Sequence, residues 1–286
     1  MGRDLKPRTR AHYRHLLDSR LLPTFADVPL RRIDPAMVRK WHAAQDATTP
    51  TSRAHAYALL KAILATAVSD DLIEANPCRI RAAGSSKRVR TIRPATLAEV
   101  AALVEAMPSR YRAMTLLAAW CGLRFGELTE LRRSDLDLEH GVVRVQRAVV
   151  RVNGQALVGT PKSDAGTRDV AIPPHLLPVL ADHLRAGHAE SAPGGLLFPA
   201  PSGGHLPSSS LYWHFYQARE AAGRPDLRWH DLRHTGAVLA AATGATLAEL
   251  MARLGHTTAG VAMRYQHAAA DRDQAIAREL SRLAGG

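Results

Sequence analysis

Up to about residue 70 the large apolar side chains recur at helical spacing. Tyr13, Leu16, Leu17 and Leu21 form one stripe, which predicts a helix over about Thr9–Leu22 that Pro23 closes. Asp34 followed by Pro35 is a cap and first-turn pair, so a second helix is expected to carry Val38 and Trp41. Tyr57, Leu60, Leu64 and Val68 mark one side of a third helix, about Ser52–Ser69, and the unit ends over Asp70–Pro77. A bundle this small buries too little apolar surface to be more than marginal alone.

Beyond Arg93 the pattern changes. Thr96 with Glu99 three residues later reads as a capping box for a helix over Leu97–Met107. Tyr111–Cys121 is apolar almost all round, with Leu116, Leu117, Ala118 and Trp120, and is expected to be a buried helix. Helical spacing then gives way to β-branched runs at Val142, Val143 and Val145 and at Val149, Val150 and Val152, with Asn153-Gly154 as a hairpin signal. Arg168–Ile172 predicts a third short strand. Residues 175–186 return to helix, 192–208 are a Pro- and Gly-rich loop, and Ser210–Ala222 is helical again. Gly244 and Gly255 are expected helix stops, with Thr246 and Thr257 or Thr258 capping the next helices. No internal repeat is present. The expected fold is mainly α (α+β), with one small antiparallel sheet in the second part.

Charge adds a partner to this outline. The formal net charge is +12, and residues 1–93 hold 18 Lys and Arg against 8 Asp and Glu, while the rest holds 20 against 18. A surface that is merely soluble mixes its signs more evenly, so the first third points to a polyanion. Residues 79–93 contain Arg79, Arg81, Lys87, Arg88, Arg90 and Arg93, no acid, and Gly84-Ser85-Ser86. They are expected to form an extended basic linker between a domain at 1–78 and one at 94–286, solvated when free and neutralised by phosphates on DNA. No apolar run is long enough to cross a bilayer, no signal-peptide core follows Met1, and the two cysteines, Cys78 and Cys121, suggest no disulfide framework. The chain is therefore expected in the cytoplasm.

The chemistry sits mostly near the end. His230 and Arg233 share a helix face, and the short helices after them are expected to return His256 and Tyr265 to the same place. Arg124 and Glu127 lie one turn apart after a glycine, and Lys162 occupies a turn between two strand-like runs. Taken singly, each has a plainer reading: Arg124–Glu127 as a surface ion pair, Lys162 as a solvated lysine, Tyr265 as core, His256 as a cap. Cys121 reads as a small buried side chain. His230 and His234 also have the spacing of a zinc-binding helix, but no third ligand stands at suitable spacing, and Arg124, Lys162 and Tyr265 would go unexplained. A guanidinium pair, two imidazoles, an amine and a phenol suggest chemistry on a phosphate.

In their order, Arg124, Lys162, His230, Arg233, His256, Tyr265, and in their contexts Cys-Gly-Leu-Arg-Phe-Gly-Glu-Leu, His-Asp-Leu-Arg-His and Leu-Gly-His-Thr-Thr, these residues resemble the tyrosine recombinase, or phage integrase, family. The resemblance covers most of the chain. It implies a helical core-binding domain at 1–78 that grips DNA and a catalytic domain at 94–286. Tyr265 is then the nucleophile that forms a 3′-phosphotyrosine, and Arg124, Arg233 and His256 hold the phosphate. Glu127 orients Arg124, His230 assists proton movement, and Lys162 protonates the leaving 5′ oxygen. The bond energy stays in the phosphotyrosine, so neither ATP nor a metal is implied. The implied partners are double-stranded DNA, a homotetramer on paired sites passing through a Holliday junction, and accessory DNA-bending or directionality proteins. The place of action is the nucleoid. A tail helix over Asp271–Leu283, with Ile276, Leu280 and Leu283, is expected to dock on a neighbour or on its own domain. Met1 lies almost at the core-binding domain, so the arm-site domain that many members carry ahead of it is expected to be absent. The alternatives are a type IB topoisomerase-like enzyme with the same chemistry and a non-catalytic DNA-binding regulator. The separate helical domain and the Leu-Gly-His-Thr-Thr context favour recombination.

Overall fold

Local capping and apolar spacing set most of the elements. The computed structural model describes residues 5–86, 90–161, 164–258 and 281–282, and the chain divides into two units, Met1–Thr91 and Ile92–Gly286. In the first unit α1 (Pro7–Leu16) runs through a π-helical turn, Leu17–Leu21, into α2 (Leu22–Phe25). Pro23 does not end the helix. It sits in the first turn of α2, where its missing N–H is harmless, just after the π turn has reset the hydrogen-bond register. That turn also brings Leu16 and Leu21, five residues apart, into one core, whereas Tyr13 stays 36% exposed.

Helix α3 (Pro35–Ala44) starts where Asp34 accepts from the Met37 amide at 2.7 Å, and α4 (Pro50–Ser69) is the longest element. Phe25, Val38, Trp41, Tyr57, Leu60 and Leu64 complete the core, and the Trp41 indole N–H donates to the Arg20 carbonyl at 2.9 Å. The start of the expected linker is not extended solvent-borne chain. The Ile80 amide donates to the Tyr57 hydroxyl at 2.8 Å, and Ile80 and Ala83 pack on the same core.

The second unit opens with α5 (Leu97–Ala106), whose capping box is complete: the Glu99 amide donates to the Thr96 hydroxyl and the Thr96 amide to the Glu99 carboxylate. Helix α6 (Ser109–Trp120) is buried on most sides and α7 (Phe125–Leu128) is a single turn. Strands β1 (Leu136–Asp137), β2 (Val142–Val145) and β5 (Arg168–Ala171) form an antiparallel sheet in the order β1-β2-β5, with Val143 opposite Val170. Strands β3 (Ala148–Val152) and β4 (Gln155–Gly159) pair separately as a hairpin about Asn153 and Gly154, both at positive φ. Among the described residues four helices come next: α8 (Leu177–Arg185), α9 (Ser208–Ala221), α10 (Trp229–Ala242) and α11 (Leu247–Leu254).

The fold is thus mainly helical with a small antiparallel β component. Leu103, Met114, Leu117, Leu128, Val143, Phe215, Trp229 and Leu232 lie in one continuous core. Helix α10 packs along α6 closely enough that only glycine fits at position 236. A Cβ there would come within 3.0 Å of the Ala119 carbonyl oxygen, which is backbone and cannot swing aside. Among the described residues no helix is long and apolar enough to cross a membrane.

Candidate active site

Helix α6 ends at Cys121, and the chain turns through Gly122 and Leu123 to place Arg124 just ahead of α7. The Arg124 amide donates to Glu127 Oε2 at 2.9 Å and its Nη1 to Oε1 at 2.6 Å, so this carboxylate fixes both the backbone and the side chain of Arg124. Glu127 is 2% exposed, unlike a surface ion pair. A second guanidinium reaches it from β5: Arg168 Nη2 donates to Oε2 at 3.0 Å and Nη1 to Oε1 at 3.3 Å. Burial pushes the Glu127 carboxyl up, but Arg168 and then Arg124 outweigh it and hold the group below the ordinary glutamate range.

On α10, Trp229, Leu232 and Thr235 are buried, and Arg233 points inward with them at 3% exposure. Its Nη1 donates to the Gly122 carbonyl, and its Nη2 to the Leu254 carbonyl and to His256 Nε2 at 2.9 Å. A guanidinium only donates, so Nε2 accepts and the proton of the neutral ring is on Nδ1. Burial first, then Arg233, Arg124, Arg168 and His234, push the His256 pKa down to about 4, so the ring is neutral near pH 7.

The loop carrying His256 begins where Thr246 and Glu249 cap α11 at one end and Gly255 stops it at the other. Gly255 has φ +63, and a Cβ there would lie 2.7 Å from the Ala165 carbonyl oxygen, so the stop demands glycine. The last carbonyls of α11 point into the site without helical partners. Arg168 Nε donates to the carbonyl of Arg253 at 2.8 Å, Arg233 Nη2 to that of Leu254, and Arg124 Nη2 to that of Gly255 at 3.0 Å. Three guanidiniums from three distant segments are seated on three consecutive carbonyls.

Of the residues expected in the site, Arg124, Glu127, Arg233 and His256 come together. His230 is on the exposed face of α10, edge-on to His234 with ring centroids 5.1 Å apart, and His234 acts in turn on His256. Lys162 and Tyr265 lie outside the described residues, as do Lys87, Arg88, His267 and, apart from the helical Ser281 and Arg282, the expected tail helix. Arg79 and Arg81 are exposed and Arg90 is half-buried, whereas Arg93 pairs with Glu99 at 2.8 Å.

Two residues escape sequence reasoning. Arg224, 1% exposed, donates to Glu99 at 2.7 Å, to Asp226 at 2.8 Å and to the carbonyls of Arg93 and Pro94, tying down the start of the unit. Arg168 is the other. Its one sequence signal is a charge at the mouth of a β-branched run, which also describes any strand-edge arginine.

The comparisons with known proteins bear on the same segments. Residues 94–272 match the model of the phage integrase family, and residues 1–44 match the phage integrase N-terminal SAM-like domain. The chain is 60% identical over 284 residues to a putative prophage phiRv2 integrase of Mycobacterium tuberculosis, covering 99% of this chain and 76% of that one. It is 41% identical over 287 residues to the integrase of Mycobacterium phage FRAT1, covering 99% and 85%. Its fold is similar to that of the Tn1549 transposon integrase in complex with transposon right end DNA, with TM-score 0.78, 20% identity and 99% and 95% coverage. It is also similar to a lambda integrase tetramer bound to a Holliday junction, with TM-score 0.67, 19% identity and 93% and 73% coverage. With a matching family model over most of its length and a relative 60% identical across 99% of this chain, the chain belongs to the phage integrase family of tyrosine recombinases.

Proposed function

We propose that this recombinase breaks and rejoins DNA strands with Tyr265 as nucleophile, in a site whose phosphate-holding half is Arg124, Arg233 and His256. The observation that supports it most is the seating of Arg124 and Arg233 on the adjacent carbonyls of Gly255 and Leu254, beside His256. Two planar cations so placed can meet both non-bridging oxygens of one phosphodiester, and they serve best in the pentavalent state, where charge on those oxygens is greatest. Arg233 is buried, while the Arg124 side chain is 33% exposed and opens outward. His256, neutral and in contact with Arg233 through Nε2, completes this half of the site without adding charge.

In the reaction the Tyr265 oxygen forms a bond to phosphorus as the bond to the 5′ oxygen breaks. His230 takes the phenol proton and Lys162 delivers one to the departing oxygen, leaving a 3′-phosphotyrosine and a free 5′ hydroxyl. Attack by a 5′ hydroxyl of a partner strand reverses these steps and completes the exchange. The basic residues Arg79, Arg81, Lys87, Arg88, Arg90 and Arg93 contact DNA phosphates between a core-binding domain at 1–78 and a catalytic domain at 94–286. Four copies act on two sites through a Holliday junction, by extension from the lambda integrase tetramer; action in the cytoplasm and accessory proteins that set direction belong to the same proposal.

The test uses a duplex nicked near the cleavage point, so that cleavage sheds a short strand and traps the adduct. Wild type is expected to give a denaturation-resistant protein–DNA adduct, and Tyr265→Phe, which loses only a hydroxyl, to bind DNA normally and give none. An adduct of normal yield from the Phe variant would sink the assignment.

A further inference from the structure

We infer that Arg168 is a positioning residue of the cleavage site: it supplies the second cation that a buried Glu127 carboxylate requires, and through that carboxylate it fixes Arg124. The inference rests on the proposed role of Arg124 in holding the phosphate. Glu127 is 2% exposed, and its nearest partner, Arg124, is partly in water and has a substrate to bind as well. One such cation compensates a buried carboxylate poorly, because burial removes the water that would otherwise solvate the charge.

Arg168 closes that gap. Its side chain is 6% exposed. Each Glu127 oxygen accepts once from Arg124 and once from Arg168, so the carboxylate is held on two sides at once. The remaining contacts of Arg168 reach the other parts of the site. Nη1 donates to the Gly166 carbonyl at 2.9 Å, in the turn after Lys162, and Nε to the Arg253 carbonyl at 2.8 Å, three residues before His256. Four donations in three directions need a planar fork, which a lysine ammonium does not provide.

The charged groups around Glu127 are Arg124 from its own turn and Arg168 from β5. On the α10–α11 side the His256 ring is neutral and is itself acted on by Arg233, Arg124 and Arg168. Removing Arg168 leaves burial opposed by Arg124 alone, so the Glu127 carboxyl takes up a proton at higher pH than before. Once protonated it no longer holds the Arg124 guanidinium as a charged partner, and a misplacement of about 1 Å costs on the order of 10²-fold in rate.

The experiment is single-turnover cleavage of the nicked duplex by the full chain from pH 5 to 8.5, with DNA affinity and thermal melting measured alongside. Arg168→Gln is expected to bind DNA normally and to cleave with a new acid limb, its rate falling in proportion as proton concentration rises. Adding Glu127→Gln, which removes the titrating group, is expected to abolish that added limb and leave a slow reaction whose profile runs parallel to wild type. A merely structural arginine would give a profile parallel to wild type, and that result, or a limb that survives in the double variant, overturns the inference. If Arg168→Gln does not fold, the Arg168→Gln, Glu127→Gln double variant decides, because it removes the buried carboxylate together with the cation that compensates it. It is expected to fold, bind DNA and cleave about 10²-fold slower than wild type. Failure to fold, or cleavage at the wild-type rate, overturns the inference. Arg124→Ala separates the two levels of argument. It is expected to lose cleavage at every pH, and wild-type cleavage by it would refute the role of Arg124 rather than the bracing of Glu127.

Discussion

Replacing Gly236 by alanine tests how tightly the α6–α10 contact governs the active site, because two known effects oppose each other there. Alanine is the better helix former by about 0.8–1.0 kcal/mol, so on propensity alone the variant is the more stable. The new Cβ, however, falls within 3.0 Å of the Ala119 carbonyl oxygen, 3.2 Å from its carbon and 3.6 Å from the Gly122 nitrogen. All three are backbone atoms, so the helices themselves must separate by roughly half an ångström. Overpacking of this kind costs about 1–3 kcal/mol, and an immovable neighbour puts this site at the upper end.

The net loss is then about 2 kcal/mol, or a drop in Tm of about 4–8 °C for a unit of this size. The unfolded fraction stays negligible at 25 °C if the unit has ordinary stability, about 5–15 kcal/mol. Activity is expected to fall further than stability. Arg233 lies three residues before Gly236 on α10 and donates to the Gly122 carbonyl at the end of α6, so separation of the two helices opens that contact directly. A shift of several tenths of an ångström there predicts about 10- to 10²-fold slower cleavage. Melting followed by circular dichroism and single-turnover cleavage of the nicked duplex at 25 °C read the two effects separately. An unchanged or raised Tm would refute the packing argument. A lowered Tm with unchanged cleavage would refute its link to Arg233.

Two further predictions bear on single groups. Lys162→Ala is expected to slow cleavage by about 10²–10⁴-fold and to be rescued by sulfur at the bridging 5′ position, since a thiolate leaves without a proton; Arg124→Ala is not rescued to the same extent, and equal rescue of both would remove Lys162 as the acid. His256 titrates at about 4 when folded and near 6.5 when unfolded, so between those values the unfolded state binds the extra proton and stability falls as pH drops. Tm is expected to decline from pH 6.5 to 4 and to decline less in His256→Gln; identical pH dependence in the two proteins would count against the burial of a neutral ring.

What the sequence disclosed was the chemistry of neighbours. Asp34, Thr96 with Glu99, and Thr246 cap their helices as expected, because a cap is settled within four residues. Arg124 and Glu127 were equally legible as a pair. Pro23 reads in sequence as a helix stop, and the structure differs because the π turn at Leu17–Leu21, which no residue announces, leaves Pro23 in a first turn where its missing N–H is harmless. Strand β4 was missed for a different reason. Gln155 and Ala156 have little β-propensity, and the segment is a strand because the Asn153-Gly154 turn folds it against β3.

The larger gap concerns what holds the site together, and it has one physical source. Arg124, Arg168 and Arg233 stand 44 and 65 residues apart along the chain, yet each ends on a carbonyl of the run Arg253, Leu254, Gly255. A carbonyl has no sequence signature, since every residue contributes one. What distinguishes these three is that α11 stops at a left-handed glycine, which leaves the last carbonyls of a helix without amide partners and at the negative end of its dipole. That arrangement favours cations over any neutral donor, and among the described residues the carboxylate that offsets the guanidiniums crowded there is Glu127. Mutual repulsion among the arginines is therefore opposed by one carboxylate and one helix terminus. The His256 ring beside them stays neutral because it is buried, and because Arg233, Arg124 and Arg168 oppose a further positive charge. On the proposed function a phosphodiester supplies negative charge there, so the cationic excess that burdens the folded site is the same quantity that would bind the substrate.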